Sequence, residues 1–345
     1  MKYSRVCIES FGYELPSHVV TSEDLERRLE PMYEALRIQR GQLEAITGIR
    51  ERRYWDPGFP LHQGAARAGR KAIDAAGIDP GRIGMLIYGA VCRENLEPAT
   101  ACAVAHALGL SPGCQIYDVS NACLGVLNGM VSVANAIELG HVQAGLVVAC
   151  ESAREIVDLT IERLNREKDM EVLRKTVATL TGGSGAVAVL LTDAASGRGH
   201  RIMGGVARSA PEHHRLCVWG PDTGIPGGTA HMAETDALKV LQNGVALGID
   251  TFREFRGALA LPDGKPDKII CHQVGATHQR TILDAIGIPA DRDFTTFRFL
   301  GNVGTVSLPI TAAIAHERGF LVPGDTVGFL GIGSGLNCLM LGIEW

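Results

Sequence analysis

Short, continuous apolar segments alternate with helical patterns along most of this chain. The apolar segments at 83–89, 142–149 and 186–191 suit strands that are buried on both faces. The predicted strands cover residues 83–89, 115–119, 142–149, 186–191, 268–272, 326–330 and 338–343. Helices are predicted over residues 62–76, 99–108, 124–139, 233–255, 276–286 and 306–318. Strands that alternate with helices predict an α/β fold with parallel sheets covered on both faces.

The two halves of the chain resemble each other faintly. Residues 140–152 contain a helix end, a polar turn and a buried strand, and residues 319–334 repeat that order. A chain of 345 residues exceeds the ~100–150 residues typical of one domain. We therefore predict an internal duplication with a seam near 196–205, giving domains 1–195 and 196–345. The nearly all-apolar helix at 124–139 is expected in the middle of the layers, covered on both faces.

Composition excludes several classes of protein. The net charge of -5 gives no support for a nucleic-acid partner. The nine cysteines form no CxxC pair and have no zinc-finger spacing, so neither a metal site nor a metal cofactor is expected. No apolar run reaches the ~18 residues that a membrane span needs, and the first residues do not have the pattern of a signal peptide. These features predict a soluble, cytoplasmic protein with reduced thiols.

Cys123 is the candidate nucleophile. It lies where the strand at 115–119 gives way to the apolar helix at 124–139. The positive end of the helix dipole is expected to lower the pKa of a thiol there and to raise its thiolate fraction. A single cysteine is more often an inert, buried side chain. On its own, this position therefore leaves both interpretations open.

Two polar residues of the second half have similar settings. His272 directly follows the buried strand that begins at Lys268, at the edge where α/β folds place their ligands. A structural histidine with both nitrogens satisfied is the alternative. Asn302 lies between two glycines, where a tight turn is an equally simple interpretation. Together with Cys123, these residues supply a nucleophile for a thioester and two hydrogen-bond donors for a developing enolate.

Five ordered motifs resemble the ketoacyl synthase III branch of the thiolase superfamily. They begin at Thr47 (TGIRER), Asn121 (NACLG), His272 (HQ), Gly301 (GNVG) and Gly331 (GIGSGLN), and they span nearly the whole chain. The resemblance implies a thiolase fold of two similar αβαβα halves in five layers, a buried Cys123–His272–Asn302 triad and a homodimer. It also implies an oxyanion hole made by the backbone N–H groups of Cys123 and Ser334.

Within that branch, the segment beginning at Leu96 (LEPATA) resembles the acyl-CoA condensing enzymes of long-chain olefin biosynthesis. In that family a glutamate reaches across the dimer interface into the neighbouring active site, and by motif position it is Glu97. Joining two plain acyl thioesters requires removal of an α-proton, for which a carboxylate in an apolar pocket is suited. A surface ion pair is the alternative interpretation of Glu97, and Glu94 lies close enough to be confused with it.

The resemblance implies non-decarboxylative Claisen condensation of two acyl-CoA molecules, without a metal or redox cofactor. Decarboxylative condensation with a malonyl thioester and a hydroxymethylglutaryl-CoA-type synthase remain alternatives, as does a silent thiolase-fold subunit of a heterodimer. Downstream enzymes of the same pathway are further possible partners. Initiating synthases carry Arg where this chain has Ile46, and the helical pattern at 30–38 has no Trp. The coenzyme A contacts and the acyl chain length are therefore left open, and His213 and His214 are assigned to a solvated loop.

Overall fold

The computed structural model describes residues 1–195, 199–221, 231–259, 261 and 264–345. Within these ranges the strands are β1 Val6–Glu14, β2 His18–Thr21, β3 Glu51–Tyr54, β4 Met85–Tyr88, β5 Gln115–Asp118, β6 Ala144–Glu151, β7 Gly185–Asp193, β8 His200–Ser209, β9 Cys217–Pro221, β10 His231–Thr235, β11 Lys268–Cys271, β12 Thr326–Gly333 and β13 Asn337–Glu344. The helices are α1 Ser22–Arg28, α2 Glu30–Leu36, α3 Gln42–Thr47, α4 Leu61–Ala76, α5 Thr100–Leu108, α6 Gly125–Glu138, α7 Arg154–Glu167, α8 Met170–Thr176, α9 Ala237–Leu259, α10 Ala276–Ile286, α11 Phe297–Leu300 and α12 Ser307–Glu317.

Nine of these strands form one mixed sheet in the order β11-β12-β13-β8-β1-β7-β6-β4-β5. The β4–β5, β4–β6 and β11–β12 pairs are parallel. The pairs that β7 makes with β1 and β6, and those that β13 makes with β8 and β12, are antiparallel. The prediction of purely parallel sheets is therefore wrong. An apolar run identifies a strand buried on both faces, but it carries no information on the direction of that strand.

The sheet is narrowest at the junction of β1 and β8, where only two residue pairs are in register, Cys7 with Arg201 and Ile8 with His200. On one side lie the strands of the first half of the chain, and on the other side those of the second half. The predicted seam at 196–205 contains the start of β8 rather than a loop. Residues 196–198, at the predicted domain boundary, lie outside the described ranges.

Two helices, α6 and α12, form the middle layer. A Cβ at Gly129 of α6 would lie 2.6 Å from Val147 of β6, while one at Gly331 of β12 would lie 2.5 Å from Leu127 of α6. The α6 helix is thus packed between strands of the two halves, as its apolar sequence predicts. The α12 helix is buried from Ser307 to Ala315 and contacts β1, β7 and β11. With α4 on the outer face of β1 and β7 and α9 on that of β8 and β13, the layers run αβαβα.

Some local predictions differ from the structure. The helix predicted over 233–255 is α9, which begins only at Ala237, because residues 231–235 pair with β9 as strand β10. Helix α1 begins directly after Thr21, which forms a reciprocal capping box with Asp24. Leu29 separates α1 from α2, and Pro31 lies in the first turn of α2, where its missing N–H group is not needed for a helix hydrogen bond. Helices α3 and α8 were not predicted from the sequence.

Candidate active site

Cys123 lies between β5 and α6, directly before the first turn of the helix. The start of α6 is fixed by the second half of the chain, because the Val126 N–H donates to Thr305 Oγ1 at 2.7 Å. It also lies against the end of β4, where a Cβ at Gly125 would be 2.3 Å from the Gly89 carbonyl oxygen. Only glycine permits this approach, and the thiol is thereby held at one place at the helix start.

His272 follows β11, and its N–H group donates to the Leu330 carbonyl of β12 at 3.1 Å. The buried Gln273 amide fixes the turn that comes next. Its Nε2 group donates to the Cys271 carbonyl at 2.7 Å, and its Oε1 atom accepts from the Thr296 N–H at 3.0 Å. The Gln of the HQ motif therefore connects the strand that carries His272 to the segment leading to Asn302.

Two backbone hydrogen bonds hold Asn302 against residues 181–183. Its N–H group donates to the Thr181 carbonyl and its own carbonyl accepts from the Gly183 N–H, both at 2.9 Å. The side-chain Oδ1 atom accepts from the Gly304 N–H at 3.0 Å. Within the described residues, this pattern leaves the Nδ2 group without an acceptor. The side chain can therefore donate a hydrogen bond into the adjacent cavity.

Cys123, His272, Asn302 and Ser334 all line one cavity between α9, α10 and the sheet. The rest of its wall is mainly apolar and includes Val240, Leu241, Val245, Ile282 and Leu336. Three of the four site residues, Cys123, Asn302 and Ser334, also line a second cavity. This cavity extends toward Trp219 and Glu151. The thiol thus lies where two cavities meet, and the structure brings four of the five predicted site residues together.

The electrostatics of Cys123 differ from the prediction. Burial raises the pKa of the Cys123 thiol to about 12, and the neighbouring Cys217 and Glu151 contribute to the rise. Burial likewise lowers the pKa of His272 to about 4, with His278 adding to the effect. Desolvation therefore outweighs the helix dipole that was expected to lower the pKa of the thiol. At neutral pH Cys123 is therefore a thiol and His272 a neutral imidazole in the same cavity, and a neutral imidazole can act as a base.

Glu97 lies apart from this cavity on the single chain. It belongs to the segment between β4 and α5, residues 89–99, which we call the Glu97 loop. Glu97 is exposed and makes no hydrogen bond or ion pair with any described residue. Glu94, by contrast, accepts from the His62 N–H at 3.0 Å and pairs with the His62 ring at 2.9 Å. The two carboxylates that the sequence left interchangeable therefore have different settings, and only Glu97 is available to a second molecule.

Three titratable residues of the site were not singled out as catalytic candidates from the sequence. Cys217 lines both cavities, His278 lines the first and Glu151 the second. None of the three lies in the five motifs that pointed to Cys123, His272 and Asn302, so those motifs gave no signal for them. His214 is exposed as predicted, yet it also lines the second cavity.

Two further expectations concern the described part of the chain. Its His, Cys, Asp and Glu side chains form no group of three or more that could hold a metal ion. Its helices include none with the length and apolarity needed to cross a membrane.

Comparison with known proteins gives the same picture along the whole chain. The family described as "Thiolase, N-terminal domain" matches residues 59–186, and "3-Oxoacyl-[acyl-carrier-protein (ACP)] synthase III C terminal" matches residues 261–345. The acyl-CoA:acyl-CoA alkyltransferase of Shewanella oneidensis is 52% identical, and that of Xanthomonas campestris pv. campestris 35%, each over 100% of both chains. A solved structure of a cysteine-to-serine variant of Xanthomonas campestris OleA with bound lauric acid and lauroyl-CoA has a TM-score of 0.93 and 34% identity. That match covers 99% of this chain and 100% of the solved one.

Proposed function

The chain belongs to the acyl-CoA:acyl-CoA alkyltransferase family of thiolase-fold enzymes, and we propose that it joins two acyl-CoA molecules by non-decarboxylative Claisen condensation. The product is a 2-alkyl-3-ketoacyl-CoA, and one coenzyme A is released. The single observation that best supports this reaction is the position of Cys123 at the meeting point of two cavities. One nucleophile with space on two sides suits a reaction that brings two acyl groups together.

The first step is transfer of an acyl group to Cys123. The neutral imidazole of His272 accepts the thiol proton as the sulfur attacks the thioester, which is required because burial keeps the thiol protonated. The tetrahedral oxyanion faces the backbone N–H groups of Cys123 and Ser334. Expulsion of coenzyme A as its thiol leaves the acyl group on sulfur, with the chain in an apolar cavity.

The second step forms the carbon–carbon bond. The carbonyl oxygen of a second acyl-CoA accepts hydrogen bonds from His272 and Asn302, which stabilise the enolate that forms there. Glu97 of the partner subunit takes the α-proton, and the carbanion attacks the Cys123 thioester. The C–S bond breaks, and the Cys123 thiolate leaves and takes up the proton that Glu97 removed, so that both groups return to their starting state. These residues supply every proton transfer, so the proposed reaction proceeds without a metal or redox cofactor.

The proposed unit is a homodimer, because Glu97 acts only on a neighbouring site. Two properties of the Glu97 loop support this. Glu97 makes no hydrogen bond or ion pair with the described residues of its own chain, and the adjacent Leu96 is 92% exposed. The single chain therefore leaves this loop tip free for contact with another molecule.

The test is a product assay with purified protein and a long-chain acyl-CoA as the only thioester. Condensation of two acyl-CoAs predicts a 2-alkyl-3-ketoacyl-CoA, or its ketone breakdown product, without malonyl-CoA. If product forms only after malonyl-CoA or a malonyl carrier protein is added, the reaction is the decarboxylative alternative. If neither mixture gives product or an acylated Cys123, the chain is a silent subunit.

A further inference from the structure

Glu151, the last residue of β6, is a buried carboxylate that the proposed reaction does not use. It is 4% exposed. Its Oε1 atom accepts from the Val91 N–H at 2.9 Å, and its Oε2 atom accepts from the Cys92 N–H at 3.0 Å. The Thr305 N–H is a further donor to the carboxylate. Backbone N–H groups, rather than a cation, therefore compensate the burial of this group.

These donors belong to two functional segments. Val91 and Cys92 form the root of the Glu97 loop, just after β4. Thr305 lies three residues beyond Asn302, and its hydroxyl oxygen accepts the Val126 N–H bond that fixes the start of the Cys123 helix. The carboxylate also lies close to Gly304, where a Cβ would be 3.3 Å from Oε1. One side chain thus joins the loop root to the wall of the active-site cavity.

The far end of the Glu97 loop has an anchor of the same kind. The Asp118 carboxylate accepts from the Thr100 and Ala101 N–H groups at 3.0 and 2.9 Å, where α5 begins. Between these two anchors, residues 95–98 are exposed. The loop is therefore fixed at both ends, and Glu97 lies at its exposed tip.

We propose that Glu151 is a positioning residue that sets the geometry of Glu97, so that its effect is exerted in the active site of the partner subunit. Its oxygens are already occupied by N–H donors, which makes it unsuited to remove a proton itself. The inference rests on the proposed function, in which Glu97 acts across a dimer. A substitution of Glu151 is therefore expected to impair deprotonation in the active site of the partner subunit. Acylation of Cys123 on the substituted chain should not be impaired.

The first test uses Glu151→Gln, which keeps the shape of the side chain but places an amide N–H against a backbone N–H. We expect condensation to fall about 10–100-fold, because Glu97 is displaced. Acylation of Cys123 by one acyl-CoA, measured by rapid-quench mass spectrometry, should be no slower than in wild type, because the change removes one cause of the raised Cys123 pKa. Glu162→Gln, an exposed carboxylate change on α7, is the matched control. Glu151→Asp, which is too short to reach both loop donors, carries the same test if the Gln variant does not fold.

The second test places the defects on different subunits of purified, doubly tagged dimers. In a dimer of Glu151→Gln and Cys123→Ala chains, the intact Cys123 receives Glu97 from a chain with a normal anchor. We expect this dimer to recover about half of the wild-type rate, since one of its two sites is complete. A dimer of Glu151→Gln and Glu97→Ala chains should remain impaired, because one site lacks Glu97 and the other receives a displaced one.

Two outcomes overturn the inference and can be told apart. No recovery with the Cys123→Ala partner, or an equal loss of acylation, would place the role of Glu151 in its own site. The dimer of Glu97→Ala and Cys123→Ala chains is the reference for the proposed function. If that dimer also stays inactive, Glu97 does not act across the interface, and the proposed function itself is contradicted.

Discussion

The catalytic cavity and the tip of the Glu97 loop differ in how completely the chain holds them. In the cavity, Gln273 fixes the turn after His272, Thr181 and Gly183 hold the backbone of Asn302, and Thr305 caps the Cys123 helix. At the loop tip, residues 95–98 are exposed, and the Leu96 side chain is 92% exposed. The residues of the cavity are held within a single chain, whereas we propose that another molecule covers the loop tip.

This contrast separates the two steps of the reaction. In the proposed reaction, acyl transfer to Cys123 uses residues that one chain positions by itself. The proposed deprotonation of the second substrate uses Glu97, which the single chain leaves at its surface. Removal of the α-proton, which decarboxylating synthases do not need, is therefore assigned to the loop tip. The chain holds this tip with fewer contacts than it holds the cavity.

The strongest test of the contrast is subunit complementation. Cys123→Ala and Glu97→Ala should each make no detectable product as homodimers. A purified mixed dimer of the two has one intact site and one doubly defective site, so we expect about half of the wild-type rate. Sizing and tag exchange must show that the subunits have mixed. Continued inactivity of such verified mixed dimers would place Glu97 in its own chain's site or outside catalysis.

The pH dependence of alkylation tests the setting of Cys123 in the catalytic cavity. Because burial raises the pKa of Cys123 to about 12, its thiolate fraction should rise about tenfold per pH unit through the neutral range. Iodoacetamide labelling of the substrate-free protein should therefore become about 100-fold faster between pH 7 and pH 9, without a plateau. Peptide mapping separates Cys123 from the exposed Cys102. A plateau near pH 7 would show that the helix dipole outweighs desolvation.

A smaller effect is expected at the loop tip itself. Leu96→Asp should leave the single chain folded, because the side chain is 92% exposed on it. Placing a charge in a covered contact typically costs on the order of 2 kcal/mol of association. We expect condensation to fall about tenfold at a protein concentration near the dimer dissociation constant. Leu139→Asp, at a leucine that is 70% exposed, is the control, and equal effects of the two changes would remove the argument for a covered tip.

The fold, and the position of Cys123, His272 and Asn302 in one cavity, could be predicted from the sequence because they depend on local signals. The apolar strands and the middle helix α6 were identified from runs of adjacent residues, and Cys123, His272 and Asn302 from motifs at element ends. The family resemblance is confirmed by relatives that match the whole chain. The five-layered thiolase fold is confirmed by the solved relative as well.

Other features depend on contacts that are distant in the sequence. The antiparallel direction of β7 follows from its pairing with β1, more than 170 residues away in the chain, and no local pattern encodes it. The pKa of Cys123 was predicted in the wrong direction because a helix start is visible in the sequence whereas an enclosing cavity is not. Glu151 lies at the end of an apolar strand, and its N–H donors come from two remote loops.

The most direct test of the central claim is the Glu97→Gln variant with acyl-CoA as the only substrate. The amide cannot take a proton, so condensation should fall about 10²–10⁴-fold, while the internally held triad still forms the thioester. Intact-protein mass spectrometry and peptide mapping should then show one acyl group per chain, on Cys123, with little product. If Glu97→Gln condenses two acyl-CoAs at the wild-type rate, or if the acyl group lies on another cysteine, the account is contradicted.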